Sequence, residues 1–465
     1  MTTTSERSST AENPDLMPTV AGYLKADRDT PPECLFERST TDLGNGAITK
    51  DRYVSRAWHE LEKTKLWKKV WQMACRENEI PDVGDQIAYD VADQSVIVVR
   101  VAPDEIRAYH NACRHRGTRL VEGCTSSRKI QCSFHAWTWN LDGSLERIPC
   151  RWDFPQVDDA DYGLRDVQVG RWNGFVFVNL DPQAAPLEEY LGEAIPRHFE
   201  NWPRDHSWKA AHVGKVLPCN WKVALEAFLE VYHVVRVHPN FLPYAGDCNA
   251  QYDFWGPHGR MLSCVGVPSP HFGDVDPQDI VNLALRDAVA NMFGEEVADG
   301  FTFPTLEDGQ GPREVLAQFV RLDTLGRTGV DLADKSDAEM IDGIQYYVFP
   351  NLVPWGGYAF PITYRVRPNG DDHRSCVWEV MFTQPVPSDQ PLPRDVPLRM
   401  TPSEEPWAEA KELAGLGPIL DQDMVNLLKF QRGLESDGYD GPTYSDVQER
   451  NIRNLHLHLD RMLGA

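Results

Sequence analysis

Cys113, His115, Cys132 and His135 form the pattern Cys-X-His, sixteen residues, Cys-X-X-His. Each of two short segments supplies one thiolate and one imidazole. Two thiolates and two neutral imidazoles are the donors of a [2Fe-2S] centre in which two Cys hold one iron and two His hold the other. Imidazoles carry less negative charge than thiolates, so the reduction potential lies above that of an all-Cys site. Such a centre stores and passes single electrons. A structural zinc site is the alternative, but zinc modules pair Cys with Cys about two to four residues apart. A Cys-X-His bite with one intervening residue fits that spacing poorly. The other eight cysteines (34, 75, 124, 150, 219, 248, 264 and 376) show no repeated spacing and read as small buried apolar residues.

A second constellation lies in 220–239, which carries Glu230, His233 and His238. On a straight helix Glu230 and His233 share a face. His238 lies about 140° round from His233 at roughly 3.6 residues per turn. Pro239 disfavours helix at His238 and lets the chain end turn inward. Two imidazoles and one carboxylate make the facial triad of non-haem Fe(II) oxygenases, with positions left open for oxygen. The third donor then comes from elsewhere, and the 421–433 segment offers Asp421 and Asp423. Taken alone, a His pair of this kind reads as core or surface histidines; beside the first motif the metal reading is preferred. A di-iron bundle needs two Glu-X-X-His units. Of fourteen histidines only His233 has Glu three residues before it.

The elements that must position these residues read as α+β. The chain has 465 residues, 42% hydrophobic and 25% charged, enough for two domains with sizeable cores. A formal net charge of −24 argues against nucleic acid or an anionic membrane as partner. No basic start with an apolar run marks a signal peptide, and no apolar stretch is long enough to span a membrane. Thiolate ligands suit a reducing, cytoplasmic setting.

Residues 1–49 read as a flexible or loosely docked arm, and 51–69 as helix. Strand signals follow at 70–75, 86–91, 95–101, 106–109 and 175–179, with an Asp142-Gly143 hairpin turn. We therefore expect an all-β cluster domain over 50–182 and a catalytic domain over 183–465. In the latter, 217–238 reads as a long helical run, and 275–335 as an irregular acidic insertion or lid. Strands at 345–349, 359–366 and 376–382 are joined in part by an Asn369-Gly370 turn. A helix at 406–435 is interrupted, on this reading, near Pro418.

The chain resembles the oxygenase α-subunit of Rieske non-haem iron oxygenases, the aromatic-ring-hydroxylating class. The resemblance rests on the two Cys/His segments, Asn220-Trp221-Lys222, Glu230-X-X-His233-X4-His238, Phe349-Pro350-Asn351, and Asp423 eight residues before Gln431-Arg432-Gly433. It implies an all-β Rieske domain joined to a helix-grip catalytic domain of antiparallel sheet and long helices. It also implies Fe(II) held by His233, His238 and Asp423. Relatives are usually trimers, some with a separate β-subunit, in which one subunit's cluster feeds its neighbour's iron. Glu230 stands where a carboxylate bridges the two sites, between His233 and the neighbour's His135. Many relatives carry Asp there, Asn at Ala227 and Gly at Ala136.

The implied activity is O2-dependent hydroxylation of an aromatic or other apolar ring compound, with monohydroxylation or oxidative demethylation as the alternative. A pure electron carrier would leave everything after residue 182 unexplained. No flavin or nicotinamide site is evident, so electrons enter through a ferredoxin or an NAD(P)H-dependent flavin reductase. Arg114, Arg116, Arg119, Arg128 and Lys129 around the ligand segments form a candidate docking group for that donor, or else a set of solvated charges. Phe228, Phe241, Leu242, Phe272, Phe349, Trp355 and Phe360 are candidates for an apolar substrate pocket.

Overall fold

The computed structural model describes residue 13 and residues 16–464. Seven strands form the first sheet, in the order Gln72–Arg76, Phe175–Asn179, Asp166–Trp172, Glu105–His110, Gln94–Ala102, Asp85–Val91 and Cys124–Ser126. A small sheet of Ile130–Gln131, Thr138–Trp139 and Leu145–Arg147 stands beside it. Two of these strands flank the second Cys/His segment. The expected hairpin turn closes Thr138–Trp139 onto Leu145–Arg147, with Gly143 at φ +84° against the Tyr109 ring.

The second half is built on a five-stranded sheet, ordered Leu352–Pro354, Ile362–Asn369, Asp372–Pro385, Ser207–Leu217 and Arg399–Thr401. The Asn369-Gly370 turn joins its second and third strands. Gln251–Trp255, His258–Ser263 and Gly343–Tyr347 form a further sheet, tied to the edge of the five-stranded sheet by the bridges Gln345–Trp355 and Val348–Leu352. The helix Trp221–Glu226, buried at every residue, lies between the five-stranded sheet and the helix Leu416–Leu434. The architecture is therefore mixed helix and mainly antiparallel sheet, as expected.

The two halves share one apolar core. Val96, Val176 and Trp67 belong to the same buried cluster as Trp221, Val366 and Trp378. The helical segment after residue 50, read as the start of the cluster domain, packs on catalytic elements. Glu62 Oε2 accepts from Trp221 Nε1 at 3.0 Å, and its Oε1 accepts from Lys222 Nζ at 2.6 Å. Both charged side chains are fully buried. Removing one partner of such a pair strands the other in a low dielectric, at about 3–5 kcal/mol. Lys222→Met is expected to lose that much stability in denaturant unfolding. Adding Glu62→Gln should recover a large part; no recovery would assign the loss to packing instead.

Several expectations change. The 217–238 run is not one helix: Trp221–Glu226 ends in a turn, and Val234–Val237 is a separate single turn. Groups from outside the helix take up the freed backbone. Gln345 Nε2 donates to Phe228 O, Tyr252 Oη accepts from Val231 N, and Glu230 Oε2 accepts from His233 N. The 275–335 insertion is not irregular but holds the helices Pro277–Phe293, Glu295–Asp299 and Pro312–Thr328. Pro277 and Pro312, read as punctuation, occupy first-turn positions where the missing N–H costs nothing.

The arm, beyond the part that falls outside the described residues, is firmly docked. Val20, Leu24, Cys34 and Leu35 are buried in a core with Trp71 and Phe177, and Asp27 pairs with Arg313 at 2.6 Å. Pro418 starts rather than interrupts the helix Leu416–Leu434, and short 3-10 turns precede it. A last helix, Arg450–Leu463, was not anticipated. All ten cysteines are unpaired, and Cys124 and Cys150 are exposed rather than buried. No helix among the described residues is long and apolar enough to cross a membrane.

Candidate active site

The two Cys/His segments fold as near-copies. Cys113 N donates to Thr118 O at 2.8 Å and Cys113 O accepts from Gly117 N at 2.9 Å. Cys132 N donates to Trp137 O at 2.9 Å and Cys132 O accepts from Ala136 N at 3.0 Å. Each loop closes on a left-handed residue, Gly117 at φ +80° and Ala136 at φ +53°. Non-glycine residues rarely adopt that conformation, which is the physical content of the Ala136 departure.

The two loops face each other, with the His115 and His135 rings 4.7 Å apart. His115 stacks on Trp137 at 5.0 Å, and its Nδ1 is buried without a hydrogen-bond partner. Cys113 and Cys132 are buried. Burial raises both thiols, but backbone N–H groups of His135 and Phe134 outweigh it at Cys132 and hold that thiol below its ordinary value. An orphaned imidazole nitrogen and thiols aimed at by N–H donors fit a buried metal cluster. His135 Nε2 lies 3.0 Å from the exposed Arg116 guanidinium. Arg114 sits over the Tyr162 ring, Arg119 pairs with Asp90 at 2.8 Å and Lys129 with Glu146 at 2.7 Å. Two of the five residues of the candidate basic docking group, Arg119 and Lys129, are thus paired locally.

The second constellation also converges. His238 Nε2 is 3.0 Å and His233 Nε2 3.7 Å from Asp423 Oδ1. The turn before Val234–Val237 delivers His233. His238 leaves the helix at φ −126°, ψ 54°, ahead of Pro239. The far nitrogen of each ring is held: Glu230 Oε1 lies 2.8 Å from His233 Nδ1, and Gln422 Oε1 2.6 Å from His238 Nδ1. Both Nε2 atoms are thereby directed at one point, the arrangement by which outer partners fix the orientation of metal-binding imidazoles. Burial lowers His233, but the Glu230 and Asp423 carboxylates outweigh it and keep the imidazole above its ordinary value. Asp421 points away and caps the preceding turn, accepting from Trp407 N and Ala408 N at 2.7 and 3.0 Å.

A cavity of about 330 Å³ opens beside this triad, lined by Glu226, Glu230, His233, Asp423, Phe430, Tyr444 and their neighbours. None of the seven aromatic and apolar pocket candidates lines it. Phe241 packs on the His238 ring at 5.5 Å. Phe228 stacks in the core against Trp378 at 4.5 Å, and Trp355 packs on Phe360. Phe349 and Leu242 are buried in other packing, while Phe272 is exposed. Phe228, Phe349, Trp355 and Phe360 thus pack in the shared core rather than at the site.

Residues 199–465 match the family model described as the ring hydroxylating alpha subunit catalytic domain, and residues 70–158 match the Rieske [2Fe-2S] domain. The chain belongs to the ring-hydroxylating α-subunit family. The cofactors of this family are a Rieske [2Fe-2S] cluster and a mononuclear iron. The anthranilate 1,2-dioxygenase large subunit of Acinetobacter baylyi is 33% identical over 207 residues, 42% of this chain and 43% of that protein. The carnitine monooxygenase oxygenase subunit of Escherichia coli is 31% identical over 191 residues, 41% and 51% respectively. The matched stretches thus span about half the length of these curated relatives. Solved structures give the same fold. A quaternary ammonium Rieske monooxygenase superposes with TM-score 0.62 at 19% identity over 90% of this chain and 95% of that one. Naphthalene 1,2-dioxygenase bound to indole gives 0.60 at 17% identity over 92% and 94%.

Within this ring-hydroxylating α-subunit the motif residues Asn220 and Gln431 are structural. Asn220 caps the Trp221–Glu226 helix through Lys222 N and donates its own N–H to Gln431 Oε1 at 2.9 Å. That bond ties the His-bearing segment to the Asp423 helix. Gln422 escaped the sequence reading; its position next to Asp423 was the available signal. Glu226 also escaped it. This buried carboxylate accepts from Tyr53 and Tyr444 hydroxyls at 2.8 and 2.6 Å and lies 2.9 Å from His456 Nε2.

Proposed function

We infer that this chain is a terminal oxygenase that inserts oxygen from O2 into a small organic molecule, using electrons from a ferredoxin or flavin reductase. The observation that carries it is the convergence of His233 Nε2, His238 Nε2 and Asp423 Oδ1, each imidazole braced from behind, in a chain that also holds the Cys/His loops. When bound, the cluster on Cys113, His115, Cys132 and His135 supplies single electrons, and Fe(II) on His233, His238 and Asp423 activates dioxygen. The protein's own residues set the geometry. Glu230 and Gln422 hold the imidazoles, and Asp423 is itself buried. A proton on His135 Nε2 calls for an acceptor in place of Arg116, and Glu230 of a neighbouring subunit supplies one in a trimer. The helices of 275–335 act as a wall over the ligand segment, through Tyr244 Oη to Asp287 at 2.6 Å. Ten unpaired cysteines suit a cytoplasmic setting.

The aromatic-ring reading of the substrate rests on relatives such as the anthranilate enzyme. The cavity favours a second reading, monohydroxylation or demethylation of a cationic amine. Its wall carries the carboxylates Glu226, Glu230, Asp423 and Glu449, the aromatics Phe430, Tyr439 and Tyr444, and no Lys or Arg. Aromatic faces and carboxylates attract an ammonium group. Burial, and then the Glu230 charge, hold the Glu449 carboxyl above its usual range, a penalty that a cation relieves. The test is single-turnover product analysis of the iron-loaded, pre-reduced chain with aromatic acids, neutral arenes and trimethylammonium compounds. A diol marks the first reading, formaldehyde or an aldehyde from an amine the second. No oxygenated product from any class overturns both.

Gln422 gives a graded test of the iron site. Gln422→Leu keeps the size but removes the Nδ1 partner of His238, and should weaken Fe(II) binding about 10–100-fold. Iron retention during dialysis against a chelator measures it; unchanged retention excludes Gln422 as a brace.

A further inference from the structure

The segment that leaves His238 builds a second donor cluster within ten residues. Asp247 and Cys248 lie on it, and His271 comes from the neighbouring loop. One ligand atom from each lies within 4.8 Å of the other two. Asp247 is 1% exposed. Its Oδ1 accepts from Ser269 Oγ at 2.6 Å, but its Oδ2 is buried, accepts no hydrogen bond, and faces His271 Nε2 at 4.0 Å. A buried carboxylate oxygen without a donor carries a desolvation cost that a cation removes.

The surroundings are built and reachable. Ser269 N donates to Leu242 O at 2.7 Å, Gly246 N to Cys264 O at 2.8 Å and His271 N to Ser269 Oγ at 3.0 Å, so both loops are fixed against each other. Cys248 Sγ lies 3.7 Å from Met17 Sδ. A cavity of about 200 Å³ bounded by Met17, Cys248 and Arg450 reaches the buried Cys248, and the His271 side chain is 31% exposed. These provide an entry path.

We propose that Asp247, Cys248 and His271 hold one divalent cation of the zinc type, separate from both iron centres. Calcium and magnesium take oxygen donors, whereas zinc accepts thiolate, imidazole and carboxylate together. The fourth position falls to water or to Met17. Such an ion would clamp the strand-end loop after His238 to the loop that leads into the Pro277–Phe293 helix.

The test uses the full chain with both iron centres loaded, equilibrated with Zn(II), desalted and assayed for metals. The expected result is about one zinc per chain beside undiminished iron, with X-ray absorption showing one sulfur at about 2.3 Å and N/O donors at about 2.0–2.1 Å. Cys248→Ser and His271→Ala should each bind zinc at least about tenfold more weakly with iron content unchanged. His271 is partly exposed, so its removal leaves folding intact. Three results overturn the proposal: no zinc retained, in which case the Cys248 proton serves Asp247; zinc retained equally by the variants; or zinc gained only as iron is lost.

Discussion

A His233→Ala chain is expected to purify with an unaltered cluster spectrum, about two irons in place of about three, and no turnover. The reasoning is geometric. His238 and Asp423 remain 3.0 Å apart after the change, but two donors do not hold Fe(II) against solvent. The cluster loops have their own core of Tyr109, Trp137 and Trp139 and do not feel the loss. Iron analysis, EPR of the reduced protein and a product assay read the three quantities separately. Retained turnover would falsify the placement of iron on this triad.

Glu230→Gln separates the two centres in a different way. The amide keeps the length of the side chain, and its oxygen can still face His233, so both metals should stay bound. What disappears is the negative charge 2.8 Å from His233 Nδ1. A loss of turnover of about 10–100-fold or more is expected, accompanied by slower re-oxidation of the pre-reduced cluster when O2 and substrate are mixed in. Glu230→Asp should recover part of the rate, since it restores the charge at a shorter reach. Normal re-oxidation in Glu230→Gln would leave Glu230 no part in linking the two centres.

Much of this molecule was legible because metal donors impose fixed spacings. The Cys/His segments, His233 and His238 needed only one loop each, and Pro239 foretold the exit of His238 from its helix. The strands 86–91, 95–101, 106–109 and 175–179 were legible for a similar reason, as short β-branched runs between turn signals. What stayed hidden depended on contacts distant in sequence. Nothing near Glu62 announces that its partners are Trp221 and Lys222, about 160 residues on. The break after Glu226 is made by Gln345 and Tyr252, which no local pattern contains. Phe228, Phe349, Trp355 and Phe360, candidates for a pocket, are ordinary core, since an apolar side chain looks the same in sequence whether it lines a cavity or fills one.

The Glu62–Lys222 pair also bears on how such enzymes diversify. A front half without this carboxylate, spliced to this back half, would bury Lys222 with no anion to meet it. Swapping electron-receiving modules between oxygenases should therefore succeed only when the crossover carries the helical stretch before residue 70 along with the catalytic half.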